Sequence, residues 1–330
     1  MKVIAEVAAL HAKLPTYNAQ TVMELLRFSE SSSVILTELS STAWASGAWR
    51  DLDNPVLFAL EDAGVKVKAI GEDWSAAISE QSQMLEFLKQ FPMGRQRLQQ
   101  LGGADRTLRE ALEQPQDALG VHTVWLEAVR EYHTAASAAL EEGPGTAHRA
   151  RRIAGIVERL EDCPPESIVI APLDDVPALL EAGLQLPNLS GFQAGDASRF
   201  RAVVDRAYRL ESGDDLDALV HGLLELDAPA DTVLARIALE ARFAASGLYL
   251  SVGDLESARD LLEVVSMGQF ERPSYLPGFV LTRLGQVRDL MGERPRAIAA
   301  YRATLALSYC PLEAKEVAQK GLLEPFGFNA

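Results

Sequence analysis

Apolar residues along this chain follow two rhythms, and the rhythm changes near residue 195. Before it, three short runs are β-rich: Val34–Leu36 behind a serine cluster, Val65–Ile70 with apolar and lysine positions alternating, and Ile168–Ile170 behind Pro164 and Pro165. The opening segment Lys2–Val7 reads as a fourth, buried strand, although Val3, Val7, Leu10 and Leu14 also fit one helical face. Helical periods occupy 19–28, 55–63, 75–91, 118–141 and 147–161. Strands separated by helices predict an α/β domain, a small mixed or parallel sheet flanked by helices. Glu142-Gly143-Pro144-Gly145 stops one helix, and Thr146 is placed to cap the next, whose apolar stripe is Ile153, Ile156, Val157 and Leu160. Leu186–Gly191 reads as the exit from this domain, which puts the domains at 1–195 and 196–330.

Beyond that exit helix dominates and the pattern repeats. Gly213-Asp214, Gly253-Asp254 and Gly292-Glu293 recur 40 and then 39 residues apart, each glycine five residues before an alanine: Ala218, Ala258 and Ala297. A fixed period of this length marks stacked helical hairpins, because one unit buries its apolar face only against its neighbours. Tyr249 precedes Gly253 by four and Leu262 follows Ala258; Gly285 precedes Gly292 by seven and Tyr301 follows Ala297 by four. This spacing resembles the tetratricopeptide (TPR) pattern, in which small residues let two helices approach and larger ones fill the hairpin interface. The resemblance covers roughly 197–320 and implies an all-α domain of three TPR-like hairpins, with a concave surface for another protein or peptide. The first unit departs from the pattern at Arg206 and Arg209, and the period exceeds the usual value of about 34. No lysine and asparagine set for clamping a carboxylate can be assigned. The competing expectation is that the hairpins buttress the first domain or build a homo-oligomer interface.

Charge narrows the partners. The 47 acidic and 31 basic side chains leave a net charge of -16, a poor match to a polyanion, so nucleic acid is not an expected partner. No run reaches the eighteen or so apolar residues of a membrane span, and Glu6 and His11 interrupt the apolar stretch after Lys2 that a signal peptide needs. Cys163 and Cys310 have no metal or redox spacing. Reduced thiols and a cytoplasmic protein are the expectation.

Familiar catalytic signatures are missing: no H-E-x-x-H, G-x-S-x-G, G-x-x-x-x-G-K-[ST] or G-x-G-x-x-G occurs. Four segments nevertheless follow a known order: Val3–His11 (VIAEVAALH), Val34–Leu39 (VILTEL), the helix from His148 with Arg149 and Arg152, and Ile168–Leu180 (IVIAPLDDVPALL). In that order the chain resembles the TraB, ChaN and erythromycin-esterase-like group, a hydrolase or metal-dependent peptidase scaffold. The resemblance implies His11 as the first histidine, Glu38 as the strand-end acid, Arg149 or Arg152 as the helix cation, and Asp174 where a second histidine is expected. Ala8 replaces the glycine of G-x-x-H, removing backbone freedom beside a ligand, and Asp174 exchanges a nitrogen donor for a carboxylate.

On the residues alone, strand ends of a parallel sheet are where ligands bind, so His11, Glu38 and Asp174 make a candidate divalent-metal set. Glu38, Arg149 and Arg152 are the candidate catalytic groups. The plain alternatives are a capping role for Glu38, an N-cap for Asp174 and a solvated helix face for His11. Arg149 and Arg152 extend the apolar stripe of their helix and are expected to face the sheet and pair with Glu38 or Asp174, or else to snorkel. Trp44, Trp49 and Trp74 follow strand ends and could line a pocket or fill loops. His122 and His133 read as surface or packing residues, His221 as part of a repeat helix, and Pro325–Phe328 as a segment that inserts into a groove of its own array or a neighbour's. The first expectation is thus an interaction or regulatory protein that joins a degenerate hydrolase-like domain to a partner-binding array. The second is a metal-dependent hydrolase or peptidase.

Overall fold

The computed structural model describes the chain except residues 32, 53, 141–146, 227–231, 269–271 and 328–330, so the expected helix stop at 142–145, the cap at Thr146 and Phe328 lie outside the described residues. Two compact units divide it. The first comprises Met1–Tyr17, Thr21–Trp49 and Val65–Gln193; the second comprises Asn18–Gln20, Arg50–Gly64 and Ala194–Ala330. A helix expected to flank the sheet, 55–63, therefore belongs with the C-terminal helices.

In the first unit, strands β1 (Lys2–Glu6), β2 (Ser33–Leu36), β3 (Lys66–Ala69) and β4 (Ile168–Pro172) form one parallel sheet in the order β1-β4-β2-β3. Val3 pairs with Val169, and Ile35 pairs with Val169 on one side and Lys68 on the other. Val3, Ile4, Val34, Ile35, Val169 and Ile170 are all buried. Continuous apolar runs of this kind are what a strand covered on both faces requires. β3 alternates because it is an edge: Lys66 and Lys68 are exposed, and their charges oppose pairing with another chain. The opening segment is a strand through Glu6, and its helical alternative survives only as a 3-10 turn at Ala8–Lys13.

The helices of the chain, in order, begin with α1 (Ala19–Phe28), α2 (Ser41–Ser46), α3 (Pro55–Ala63), α4 (Ser75–Leu88) and α5 (Pro92–Leu112). A short α6 (Ala118–Gly120) runs through a π-helical stretch at Val121–Trp125 into α7 (Leu126–Leu140), followed by α8 (His148–Glu161) and α9 (Val176–Glu181). The pattern does not foretell α5, since this helix carries Gly94, Gly102 and Gly103 and buries only Gly94.

The second unit continues with α10 (Asp196–Ala207), α11 (Leu216–Leu224), α12 (Val233–Ser251), α13 (Leu255–Ser266), α14 (Leu276–Leu290), α15 (Arg294–Leu305) and α16 (Leu312–Leu323). Each packs on the next, α10 also on α12 and α14 also on α16. Gly253 and Gly292 adopt the left-handed conformation at φ 82 and 76 that ends one helix and releases the chain into the next. Asp254 caps α13 by accepting from the Ser257 N–H. Ala258 and Ala297 are fully buried. The earliest unit behaves differently: Gly213 is not left-handed, Ala218 is exposed, Asp215 rather than Asp214 caps α11, and Asp214 instead pairs with Arg206.

Gly285 and Gly321 explain the last turn of the array. A Cβ on either would stand within 2.4 and 2.5 Å of the Tyr301 ring, so two helices lacking side chains there hold this fully buried ring between them. The Tyr301 hydroxyl donates to Asp289 at 3.0 Å, and the Phe326 N–H donates to the same carboxylate at 2.9 Å. The tail thus returns to its own array.

Candidate functional site

The carboxyl ends of β2 and β4 carry the charged residues of the first unit. Glu38 is exposed just past β2, and its carboxylate makes no hydrogen bond or ion pair among the described residues; partial burial raises its pKa, opposed by the Arg152 charge. Asp174 and Asp175 follow β4. Both arginines face them, as the helix stripe requires: Arg149 donates to the Asp174 carbonyl at 2.6 Å and lies 3.8 Å from its carboxylate, whereas Arg152 bonds the Asp175 carboxylate and lies 3.9 Å from Asp174. The expected Asp174 partner is therefore found for Arg149. For Arg152 the main partner is Asp175, the neighbour of the expected Asp174.

His133 completes the cluster, so its reading as a surface or packing residue needs correction. Its Nε2 lies 2.9 Å from the Asp174 carboxylate. Desolvation pushes the Asp174 pKa up, but the His133 hydrogen bond and the His133, Arg149 and Arg152 charges outweigh it and hold the carboxyl below its usual range. Asp175 shows the opposite result. It is 1% exposed, and desolvation, offset in part by Arg152, pushes its pKa up to about 6. Asp175 also holds the N-cap position of α9 that Asp174 was considered for, though without a side-chain cap bond.

His11 stands apart from this cluster. It is fully buried, not on a solvated face; its Nδ1 donates to the Tyr17 carbonyl at 2.9 Å and its Nε2 accepts from the Val7 N–H at 3.2 Å. Burial, partly countered by that carbonyl, lowers its pKa to about 4. With both ring nitrogens spent on backbone, His11 cannot join Glu38 and Asp174 around an ion. Among the described residues no three His, Cys, Asp or Glu side chains are placed to hold a metal. The donor set implied by the hydrolase resemblance does not assemble. Ala8, by contrast, has φ 44. The backbone at that position does adopt the conformation a glycine would favour.

Beside Asp174 opens a cleft of about 1090 Å³, walled by Leu85, Leu101, Ile153 and Val157 and rimmed by His133, Arg149 and Asp174. Its lining is mixed, with Glu158, Glu161 and Glu181 adding acids to the apolar walls. Among the described residues His133 has no hydrogen bond to a hydroxyl or thiol. None of the three tryptophans lines the cleft. Trp44 and Trp49 stack on each other at 5.0 Å, and Trp49 is buried. His122 is a packing residue: its Nε2 accepts from the Ala5 N–H at 3.0 Å.

The second unit has its own charged cluster, buried between α10, α12 and the start of α14. Arg201 donates to Asp205 at 2.7 Å and to Glu240 at 2.6 Å, and the Tyr275 hydroxyl donates to Glu240 at 2.6 Å. Helix α3 meets α12 and the segment before α14 beside the cluster. Asp62 binds Arg236 at 2.8 Å, the Phe58 ring meets Tyr275 edge-on at 4.9 Å, and Glu61 receives the Ser274 hydroxyl at 3.0 Å. His221 belongs to α11, as expected, and lies 2.9 Å from Glu225.

No family model, curated protein or solved structure matches the chain. Among the described residues, no helix is long and apolar enough to cross a membrane.

Proposed function

We propose that this is an interaction or regulatory protein whose TPR-like hairpin array binds a segment of another protein, joined to a hydrolase-like α/β unit without the metal chemistry of that scaffold. One observation carries the reading: α12 and the two residues just before α14 already hold a helix, α3, through an acid, an aromatic ring and a second acid. A surface that recognises one helix by matched charge and ring contacts is suited to recognise another. The glycine turns at Gly253 and Gly292, the buried Ala258 and Ala297, and the Gly285 to Tyr301 contact support the TPR-like assignment of the second and third hairpins. The hydrolase alternative loses support because both ring nitrogens of His11 are bound to backbone.

Chemical crosslinking of the full chain in its native extract, read by mass spectrometry, tests this. Partner crosslinks should concentrate at 197–320. Crosslinks confined to 65–193, or no specific partner at all, would overturn the proposal.

A further inference from the structure

Several arginines of the second unit meet an acid, whereas Arg242 bonds only the Ala238 carbonyl among the described residues. Arg236 has Asp62, Arg201 has Asp205 and Glu240, Arg288 has Glu263, and Arg294 has Asp289. Arg283, on α14, has no hydrogen bond or ion pair among the described residues, although its side chain is half-buried. Burial, weakly countered by Tyr208, lowers its pKa. In a chain of net charge -16 a half-buried cation without an acid is conspicuous, because removing a guanidinium from water is costly unless something returns its hydrogen bonds.

Its neighbours shape what would fit. Tyr208, at the end of α10, is 55% exposed as a whole, while its hydroxyl is desolvated beside charges of which Glu240 is the strongest, ahead of Arg201 and Arg283. Gly247 on α12 has no side chain to cover the guanidinium: a Cβ there would come within 3.8 Å of an Arg283 Nη. The same pair of residue types, an arginine and a tyrosine, holds α3. There, an arginine of α12 and a tyrosine at the start of α14 take an acid and a ring four residues apart on one helix, Asp62 and Phe58. Positions four apart share one face of a helix, so a single helix can satisfy both contacts.

We infer that Arg283 and Tyr208 form a second docking point on the second unit, for an acidic helix of a partner protein that presents a carboxylate and an aromatic ring four residues apart. The inference rests on the proposed interaction function and specifies its ligand. The cation attracts the carboxylate, Gly247 leaves the approach open, and Tyr208 supplies the ring contact.

The probe is a helix-stapled, fluorescent peptide with the sequence of residues 54–64, titrated into the full chain at low ionic strength and read by anisotropy. The wild type should bind it, Arg283→Glu should weaken binding at least tenfold, and a peptide carrying Asp62→Lys should regain binding to that variant. Gly247→Leu, which keeps the charge but covers it, should weaken binding as well; it keeps the test decisive should Arg283→Glu fail to fold. No binding to the wild type, or equal binding to all three proteins, would overturn the inference. Self-association of the full chain that Arg283→Glu abolishes would assign the site to a second copy and overturn the partner claim. Array crosslinks to a native partner that persist in Arg283→Glu would remove this docking point while leaving the broader function standing.

Discussion

The two units each bring arginines against acids, and they do so to different ends. In the helical unit, Arg201, Asp205 and Glu240 have side chains 13, 11 and 8% exposed, and every partner is within 2.7 Å. At the strand ends, Asp174 is 52% exposed and its carboxylate lies 3.8 and 3.9 Å from the arginines, although Arg152 also bonds the buried Asp175. The same residue types make a closed clamp in one place and an open rim in the other. Desolvation decides which: a dry ion pair cannot lose one member cheaply, whereas a wet one is screened and can exchange its partner for a ligand.

The sharpest way to break this contrast is to delete one arginine from each cluster. Arg201→Ala strands two buried carboxylates and is expected to cost about 3–5 kcal/mol. Arg149→Ala leaves Asp174 to water and His133 and should cost under about 1 kcal/mol. Urea denaturation of both variants measures the difference. Equal losses would mean that the strand-end cluster is as structural as the clamp.

A somewhat smaller effect separates two buried groups inside the first unit. His11 has its pKa lowered from 6.5 to about 4, so the unfolded chain takes up its proton first, and stability present above pH 6.5 is lost as pH falls toward 4. Asp175 has its pKa raised from 3.8 to about 6, so its contribution is fully present below 3.8 and is lost as pH rises through 6. Each amounts to about 3 kcal/mol, and they oppose one another over the same window. Asp175→Asn removes one side of the balance. Between pH 6.5 and 4 the variant should lose about 3 kcal/mol more stability than the wild type does. Parallel pH profiles by thermal denaturation would show that Asp175 is not held protonated by its surroundings.

How much of this was legible depends on whether the cause was local. The strands and helices α1 and α3 were, because burial on both faces of a sheet or one face of a helix writes a period into the sequence. The inward aim of Arg149 and Arg152 was legible for the same reason: 149, 153, 156 and 160 share a stripe with Ile153, Ile156 and Leu160 buried along it. Which acid each arginine meets was not, since Asp174 and Asp175 differ by one residue and only the backbone turn after β4 separates them. His133 gave no signal at all; it lies 41 residues from Asp174, and nothing in its own helix marks the contact. His11 misled because a histidine one turn after a strand is equally suited to a ligand role and to capping its own loop, and the loop took both nitrogens. The place of α3 in the second unit was hidden for a further reason: its partners Arg236 and Tyr275 lie 174 or more residues away.

The smallest prediction returns to the same two units through their backbones. In the helical unit every described residue with positive φ is a glycine, at 64, 253 and 292, whereas the first unit places Ala8 and Glu30 there at φ 44 and 56. An L-residue in that region costs about 1–2 kcal/mol from its Cβ, against which glycine loses about 0.5–1 kcal/mol more chain entropy on folding. Ala8→Gly should therefore stabilise the protein by about 0.5–1 kcal/mol, and Gly292→Ala, whose Cβ would meet nothing within 4 Å, should destabilise it by a similar amount. The pair isolates backbone strain, since one variant removes a methyl and the other adds one to open space. A destabilising Ala8→Gly beside the expected Gly292→Ala would mean that the half-buried Ala8 methyl stabilises its loop more than the turn strains it. The turn between β1 and His11 would then be held by packing, and its likeness to a glycine position would carry no weight.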